Sequence, residues 1–147
     1  MKKIETEILI NASKNQVWKA LMSHQSYEIW NPFIKSIKGS PIEGNQIEVT
    51  MEIEGRKPMA FKPEILINKI QSEFRWKGKM FVKGLFDGEH YFKLEESKNG
   101  TKLIHGEIFS GMLVGVVLKS IEENTLKGFQ AMNEALKNLI ENQKYEK

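Results

Sequence analysis

The clearest pattern in the chain is a strict alternation between residues 47 and 54. Ile47, Val49, Met51 and Ile53 interleave with Glu48, Thr50, Glu52 and Glu54, as in a strand with one face buried and one in water. The same period of two recurs at Ile4, Ile8 and Ile10, at Phe61, Pro63, Ile65 and Ile67, and at Phe74, Trp76, Gly78 and Met80. It recurs again at His90, Phe92 and Leu94, and at Leu103, His105, Glu107 and Phe109. Pro63 cannot donate to a ladder and marks an edge or a bulge. Ser97-Lys98-Asn99-Gly100 is a turn between the last two strands, so those strands pair antiparallel.

Two stretches follow a helical period instead. After the first strand, Asn11-Ala12-Ser13 breaks the alternation, and Ser13 is a candidate N-cap for a short helix with Val17, Trp18, Leu21 and Met22 on its apolar face. A second short helix or turn spans residues 26–33 and is closed by Asn31-Pro32. The proline-free segment 116–145 carries Val117, Leu118, Ile121, Thr125, Gly128, Phe129, Met132, Leu136, Leu139 and Ile140 along one face. Lys119, Glu122, Glu123, Lys127, Lys137 and Glu141 lie on the other. A helix of about 30 residues at about 1.5 Å per residue crosses a whole small domain. The expected class is α+β: a curved antiparallel sheet wrapped around a long C-terminal helix, with two short helices after the first strand, in one domain over residues 1–147.

Composition narrows the function classes. There are no cysteines, so thiol nucleophiles, thiolate metal sites and disulfides are excluded. Glu5, Thr6 and Glu7 interrupt the N-terminal apolar run, and no segment reaches the ~18 apolar residues of a membrane span. The net charge of +3 comes from 22 basic and 19 acidic residues mixed along the chain, without the basic and aromatic clustering of a nucleic-acid groove. A cytoplasmic monomer or homodimer is expected, with no nucleic-acid partner and no stable membrane insertion. No Gly-rich phosphate loop or nucleophile elbow is present, and no cofactor is expected.

The chain resembles the START-like, birch-pollen-allergen-like superfamily of helix-grip proteins, in particular its polyketide cyclase/dehydrase branch. The resemblance rests on Ile8-Leu9-Ile10-Asn11-Ala12 through Val17-Trp18, on Tyr27-x-x-Trp30-Asn31-Pro32-Phe33, and on Gly88-Glu89-His90. It continues through Gly100-Thr101, His105-x-Glu107-x-Phe109-Ser110-Gly111 and Gly128-Phe129-x-x-Met132-Asn133. It implies the fold and is silent on the activity, since the superfamily includes lipid carriers, cyclases and heat-shock ATPase activators.

Antiparallel pairing across the 97–100 turn places His90, Phe92 and Leu94 on the same apolar face as Leu103, His105, Glu107 and Phe109. His90, His105 and Glu107 are thereby candidate acid–base residues, because a carboxylate beside an imidazole raises the histidine pKa and the pair can move a proton on a carbonyl compound. They equally serve as a structural pair or as a polar spot orienting a ligand. No ligand spacing supports a metal site. The candidate ligand-binding wall comprises Trp30, Phe33, Met51, Phe61, Trp76, Met80, His90, Phe92, His105, Glu107, Phe109, Phe129, Met132 and Asn133. A curved sheet gripping one helix leaves apolar volume, and methionines adapt to ligands of varied shape. Asn133 either meets this polar spot or lies in water. The segment 109–115, with Gly111 and Gly115 around Met112, Leu113 and Val114, is either a gate or a hydrophobic cap. The leading expectation is binding of a small hydrophobic or amphipathic molecule. A cyclase/dehydrase-type enzyme and a protein-interaction module are the alternatives.

Overall fold

The computed structural model describes residues 1–79 and 86–143; Met80 and Tyr145 lie outside them. Strand β1 (Lys2–Ile10) leads into α1 (Lys14–Met22), a single 3-10 turn at His24–Ser26 and α2 (Tyr27–Trp30). Seven strands follow: β2 (Ile34–Lys38), β3 (Glu48–Met51), β4 (Met59–Phe61), β5 (Glu64–Lys69), β6 (Glu73–Lys79), β7 (Asp87–Ser97) and β8 (Gly100–Ser110). Helix α3 (Val114–Gln143) closes the chain. The helix-grip expectation holds, with eight strands where the pattern predicts six. Ile34 and Ile37 are the buried positions of β2, a spacing of three that hides a strand because a bulge shifts its register between Ile34 and Ser36.

Two antiparallel sheets form the grip, one in the order β1-β8-β7-β6-β5 and one in the order β2-β3-β4. The predicted strand through Phe61 and Ile67 is divided between them at Pro63, whose missing N–H interrupts the ladder. The sheets stay joined there, because Ile47 N–H donates to the Pro63 carbonyl at 3.0 Å and Ile65 N–H to the Asn45 carbonyl at 2.9 Å.

Local chemistry sets the element ends. Ser13 caps α1 in a reciprocal capping box with Gln16. Asn31 Oδ1 accepts from the N–H groups of Phe33 and Ile34, each at 2.9 Å, turning the chain from α2 into β2. The β7–β8 turn requires glycine at position 100: φ is +141°, and a Cβ there would sit 2.2 Å from the Ile10 carbonyl oxygen.

The interior is built in cross-strand rows. One row runs Ile4, Glu107, His90, Trp76 and Ile65, and its neighbour runs Thr6, His105, Phe92 and Phe74. Helix α3 lies over these rows with Leu118, Ile121, Phe129, Met132, Leu136 and Ile140 buried against them. On the outer face, Tyr91 covers Gly106 and donates to Glu5 at 2.5 Å, while Arg75 stacks on its ring at 4.6 Å. Gly100→Ala combines a strained φ with a backbone clash, and the expected loss is about 3 kcal/mol in urea unfolding.

Candidate functional site

The β7–β8 register pairs His90 with Glu107 and Phe92 with His105, which brings the three titratable candidates onto the concave wall. They form the head of a continuous hydrogen-bonded chain. Glu107 Oε1 lies 3.2 Å from His90 Nδ1, and His90 Nε2 lies 2.7 Å from His105 Nε2. His105 Nδ1 reaches Asn133 Oδ1 at 2.8 Å, and Asn133 Nδ2 donates to Thr6 Oγ1 at 2.8 Å. Thr6 Oγ1 in turn donates to the His105 carbonyl at 2.9 Å.

The far end orients every bond in this chain. The Thr6 hydroxyl has one proton and gives it to a backbone carbonyl, so it accepts from Asn133, whose amide nitrogen must face it. Asn133 then offers its oxygen to His105, which carries its proton on Nδ1 and accepts at Nε2. His90 therefore donates from Nε2 and presents a lone pair at Nδ1. The proton between His90 and Glu107 belongs, in the uncharged arrangement, to the carboxyl group.

Burial favours that uncharged arrangement. His90 and His105 have no exposed surface, and Glu107 retains 4%. Trp76 stacks on His90 with ring centroids 4.8 Å apart, and Phe129 stacks on His105 at 4.4 Å. Desolvation lowers His90 to about 3 and raises Glu107 to about 8. His105 is also held well below its ordinary value, by desolvation first and by neighbouring His90 second. The expected rise in histidine pKa beside the carboxylate is therefore reversed. At short range the geometry resembles an ion pair, but desolvating two charges outweighs their attraction here, and a neutral hydrogen bond is the state we assign. The imidazoles also bond each other too closely for a shared ion, since two nitrogens on tetrahedral zinc lie about 3.3 Å apart.

The remaining candidates divide by location. Phe33 packs edge-on against Phe129 at 5.3 Å and near-parallel to His90 at 6.3 Å, so with Trp76, Phe92 and Met132 it seals the polar chain. Trp30 and Phe61 are only partly buried. Trp30 donates to Ser26 at 3.3 Å, and the Phe61 ring covers Gly78. Asn133, left open between core and water, is buried and bonded through both its amide oxygen and its amide nitrogen. Thr6 went unrecognised, although its place in the stripe of Ile4, Ile8 and Ile10 was the available signal: one hydroxyl on an otherwise aliphatic face.

Open space lies beside this wall. A partly open cavity of about 450 Å³ is lined by Met51, Ile53, Met59, Phe86, Val117 and Ile121, with Gly55, Arg56, Lys57 and Pro58 at its rim. Phe86 stacks on Phe109 at 5.5 Å, and Phe109 stands two residues from Glu107 on the same face of β8. The β3–β4 turn at the rim is held on α3 by Arg56 donating to Ser120 at 2.9 Å and Asn124 donating to the Glu54 carbonyl at 3.0 Å. Of the three apolar residues after Gly111, only Val114 is buried; Met112 is 84% exposed, so they do not act together as a hydrophobic cap.

Residues 1–141 match the model of the family described as polyketide cyclase / dehydrase and lipid transport. The chain belongs to this family. Among solved structures it is similar to protein MLL2253 from Mesorhizobium loti, at 14% identity and a TM-score of 0.75, covering 96% of this chain and 98% of that one. It is similar to protein CV1439 from Chromobacterium violaceum at 17% identity and a TM-score of 0.73, covering 95% and 96%. Ara h 8.0201 aligns at 17% identity and a TM-score of 0.71, covering 95% and 97%. These likenesses establish the birch-pollen-allergen-like helix-grip fold. No curated protein matches the sequence. No helix among the described residues is long and apolar enough to cross a membrane.

Two outcomes follow from the buried chain. Asn133→Ala strands the His105 Nδ1 proton and is expected to cost about 3 kcal/mol in chemical unfolding, against under ~0.5 kcal/mol for Lys127→Ala on the exposed face. The pH dependence has a definite sign. His24, lowered to about 4 by burial, His90 and His105 stay neutral in the fold, whereas the unfolded chain protonates them near 6.5. Stability therefore falls as pH drops below about 6.5. Glu107 ionises near 4.5 when unfolded but only near 8 in the fold, so its contribution declines between those values as pH rises. Three histidines outweigh one carboxyl below 6.5, and above it Glu107 acts alone. The melting temperature should peak near pH 6.5, and Glu107→Gln should remove the decline between 6.5 and 8.

Proposed function

We propose that this protein binds a small hydrophobic molecule with one polar end, held between the sheet and α3 and loaded past the β3–β4 turn. The apolar cavity of about 450 Å³ beside Phe86 and α3 carries this reading, because concave apolar space of this size with few polar groups is characteristic of small-molecule sites. Met51 and Met59 give its wall adaptable surface. Arg56 and Lys57 leave the rim polar and wettable. Met112 and Val116, at 84% and 74% exposed, provide apolar surface at the same end of α3 for a ligand leaving water.

Binding is favoured over catalysis by the state of the candidate acid–base residues. Both imidazoles are sealed behind Phe33, Trp76, Phe92 and Phe129, and each ring nitrogen is already committed to a neighbour. A general base must reach its substrate directly or through one water, and neither histidine has that access. We place this binding role in the cytoplasm, in keeping with a chain free of cysteine.

Nile red fluorescence tests the reading. The dye should bind with a saturable blue shift. Filling the cavity with Ile121→Trp or Val117→Trp should weaken it about tenfold or more while the protein still melts cooperatively. A dye signal indifferent to both substitutions counts against the site.

A further inference from the structure

The orientation of the buried chain has a consequence at its open end. Starting from the Thr6 proton on the His105 carbonyl, each donor and acceptor is assigned in turn, and the last assignment leaves Glu107 facing His90 with Oε1. The proton on that contact lies on Oε1 or on His90 Nδ1. In both arrangements the other oxygen, Oε2, carries no proton. It is a pure acceptor.

Oε2 also occupies a place prepared for it. It rests over the bare Cα of Gly88, where an added Cβ would lie 2.2 Å away. No hydrogen bond reaches it from any described residue. Phe109 is the cross-strand neighbour of Gly88 and stacks with Phe86 of the cavity wall, so one aromatic pair links the place of Oε2 to that wall. Four buried polar atoms lack partners among the described residues, His24 Nε2, Asn31 Nδ2, Trp76 Nε1 and Thr125 Oγ1, and the last two bear on this site. Trp76 lies in the same cross-strand row as Glu107, and Thr125 is one helical turn beyond the cavity residue Ile121. Trp76 Nε1 is a donor, and Thr125 Oγ1 can donate or accept.

We infer that the polar end of the ligand is a hydroxyl group, an alcohol or phenol, which donates its proton to Glu107 Oε2. Its oxygen accepts from an unpartnered donor, Trp76 Nε1 or Thr125 Oγ1. The inference rests on the ligand-binding reading above and narrows it. A ketone offers Oε2 no proton, and a carboxylate brings lone pairs and a charge against an acceptor in an apolar wall. An ammonium group would donate but would lose its hydration with no fixed counter-charge. Only a neutral group that both donates and accepts satisfies the two sides of the pocket. The selectivity follows from an unpaired buried polar group being costly whenever the wrong head group enters.

The test is displacement of Nile red by three ligands with one hydrocarbon length and different ends: decyl alcohol, methyl octyl ketone and decanoate. The alcohol should bind about tenfold more tightly than the other two. Glu107→Gln should keep that preference, because its amide nitrogen donates to His90 Nδ1 and its oxygen still accepts from the ligand. Glu107→Leu should reduce the alcohol to the level of the ketone. Gly88→Ala, which displaces Oε2 without removing the carboxyl, should do the same and covers the case of a Glu107→Leu protein that fails to fold. Equal displacement by all three ligands, or a lead for ketone or carboxylate, overturns the hydroxyl assignment while the cavity stands. Loss of the preference in Glu107→Gln overturns it as well. Displacement by none of the three removes the ligand-binding reading and this inference with it.

Discussion

Three titratable side chains share the space between sheet and helix, and the rest of the interior is arranged around keeping them hydrogen-bonded and uncharged. An isolated charge in such surroundings would cost many kcal/mol. The fold avoids this by linking Glu107, His90, His105, Asn133 and Thr6 into one chain that ends on a backbone carbonyl. Strands β1, β6, β7 and β8 and helix α3 each supply or screen a member. Strands β7 and β8 hold the acid and the imidazoles, α3 brings Asn133, and β1 brings Thr6. Residues Phe33, Trp76, Phe92 and Phe129 exclude water from the rings. The polar chain thus ties sheet to helix at a point where apolar packing alone would leave their mutual register loosely specified.

The same chain separates two roles that lie close together on the wall. Its interior is structural, since both imidazoles are fully enclosed and each nitrogen is occupied. Its terminus at Glu107 is linked to the apolar space formed by Met51, Phe86 and Ile121 through the stacked pair Phe109 and Phe86. A buried network that is fully satisfied except at one end behaves as a fixed, oriented group rather than as a mobile proton store. On the proposed reading the histidines, the most obvious chemical signal in the chain, act on a ligand only through the carboxyl they orient.

Gly88 and Gly100 show how close approach of backbone shapes the wall. At Gly100 the tight β7–β8 turn passes against the end of β1, and at Gly88 the absence of a side chain admits the Glu107 carboxyl. Each glycine lies within or beside a strand, where it weakens local propensity. Both positions are explained by what the neighbouring strand brings to them.

The period of two at His90, Phe92, Leu94 and at Leu103, His105, Glu107, Phe109, together with the turn between them, was enough to place both histidines and the glutamate on one inward face. The long apolar stripe from Val117 to Ile140 was enough to provide the helix that covers them. Local pattern determines such features because side-chain direction follows backbone period. It does not determine what meets across the interior. Thr6 and Asn133 are separated by 127 positions, and only the seating of α3 on β1 and β8 decides that they bond. The bulged β2 escaped the pattern because its buried spacing is three, and the division at Pro63 into two sheets is a tertiary outcome as well. Whether the imidazoles would be charged was also beyond the sequence, since charge follows desolvation by Phe33, Trp76 and Phe129, which no neighbour along the chain reveals.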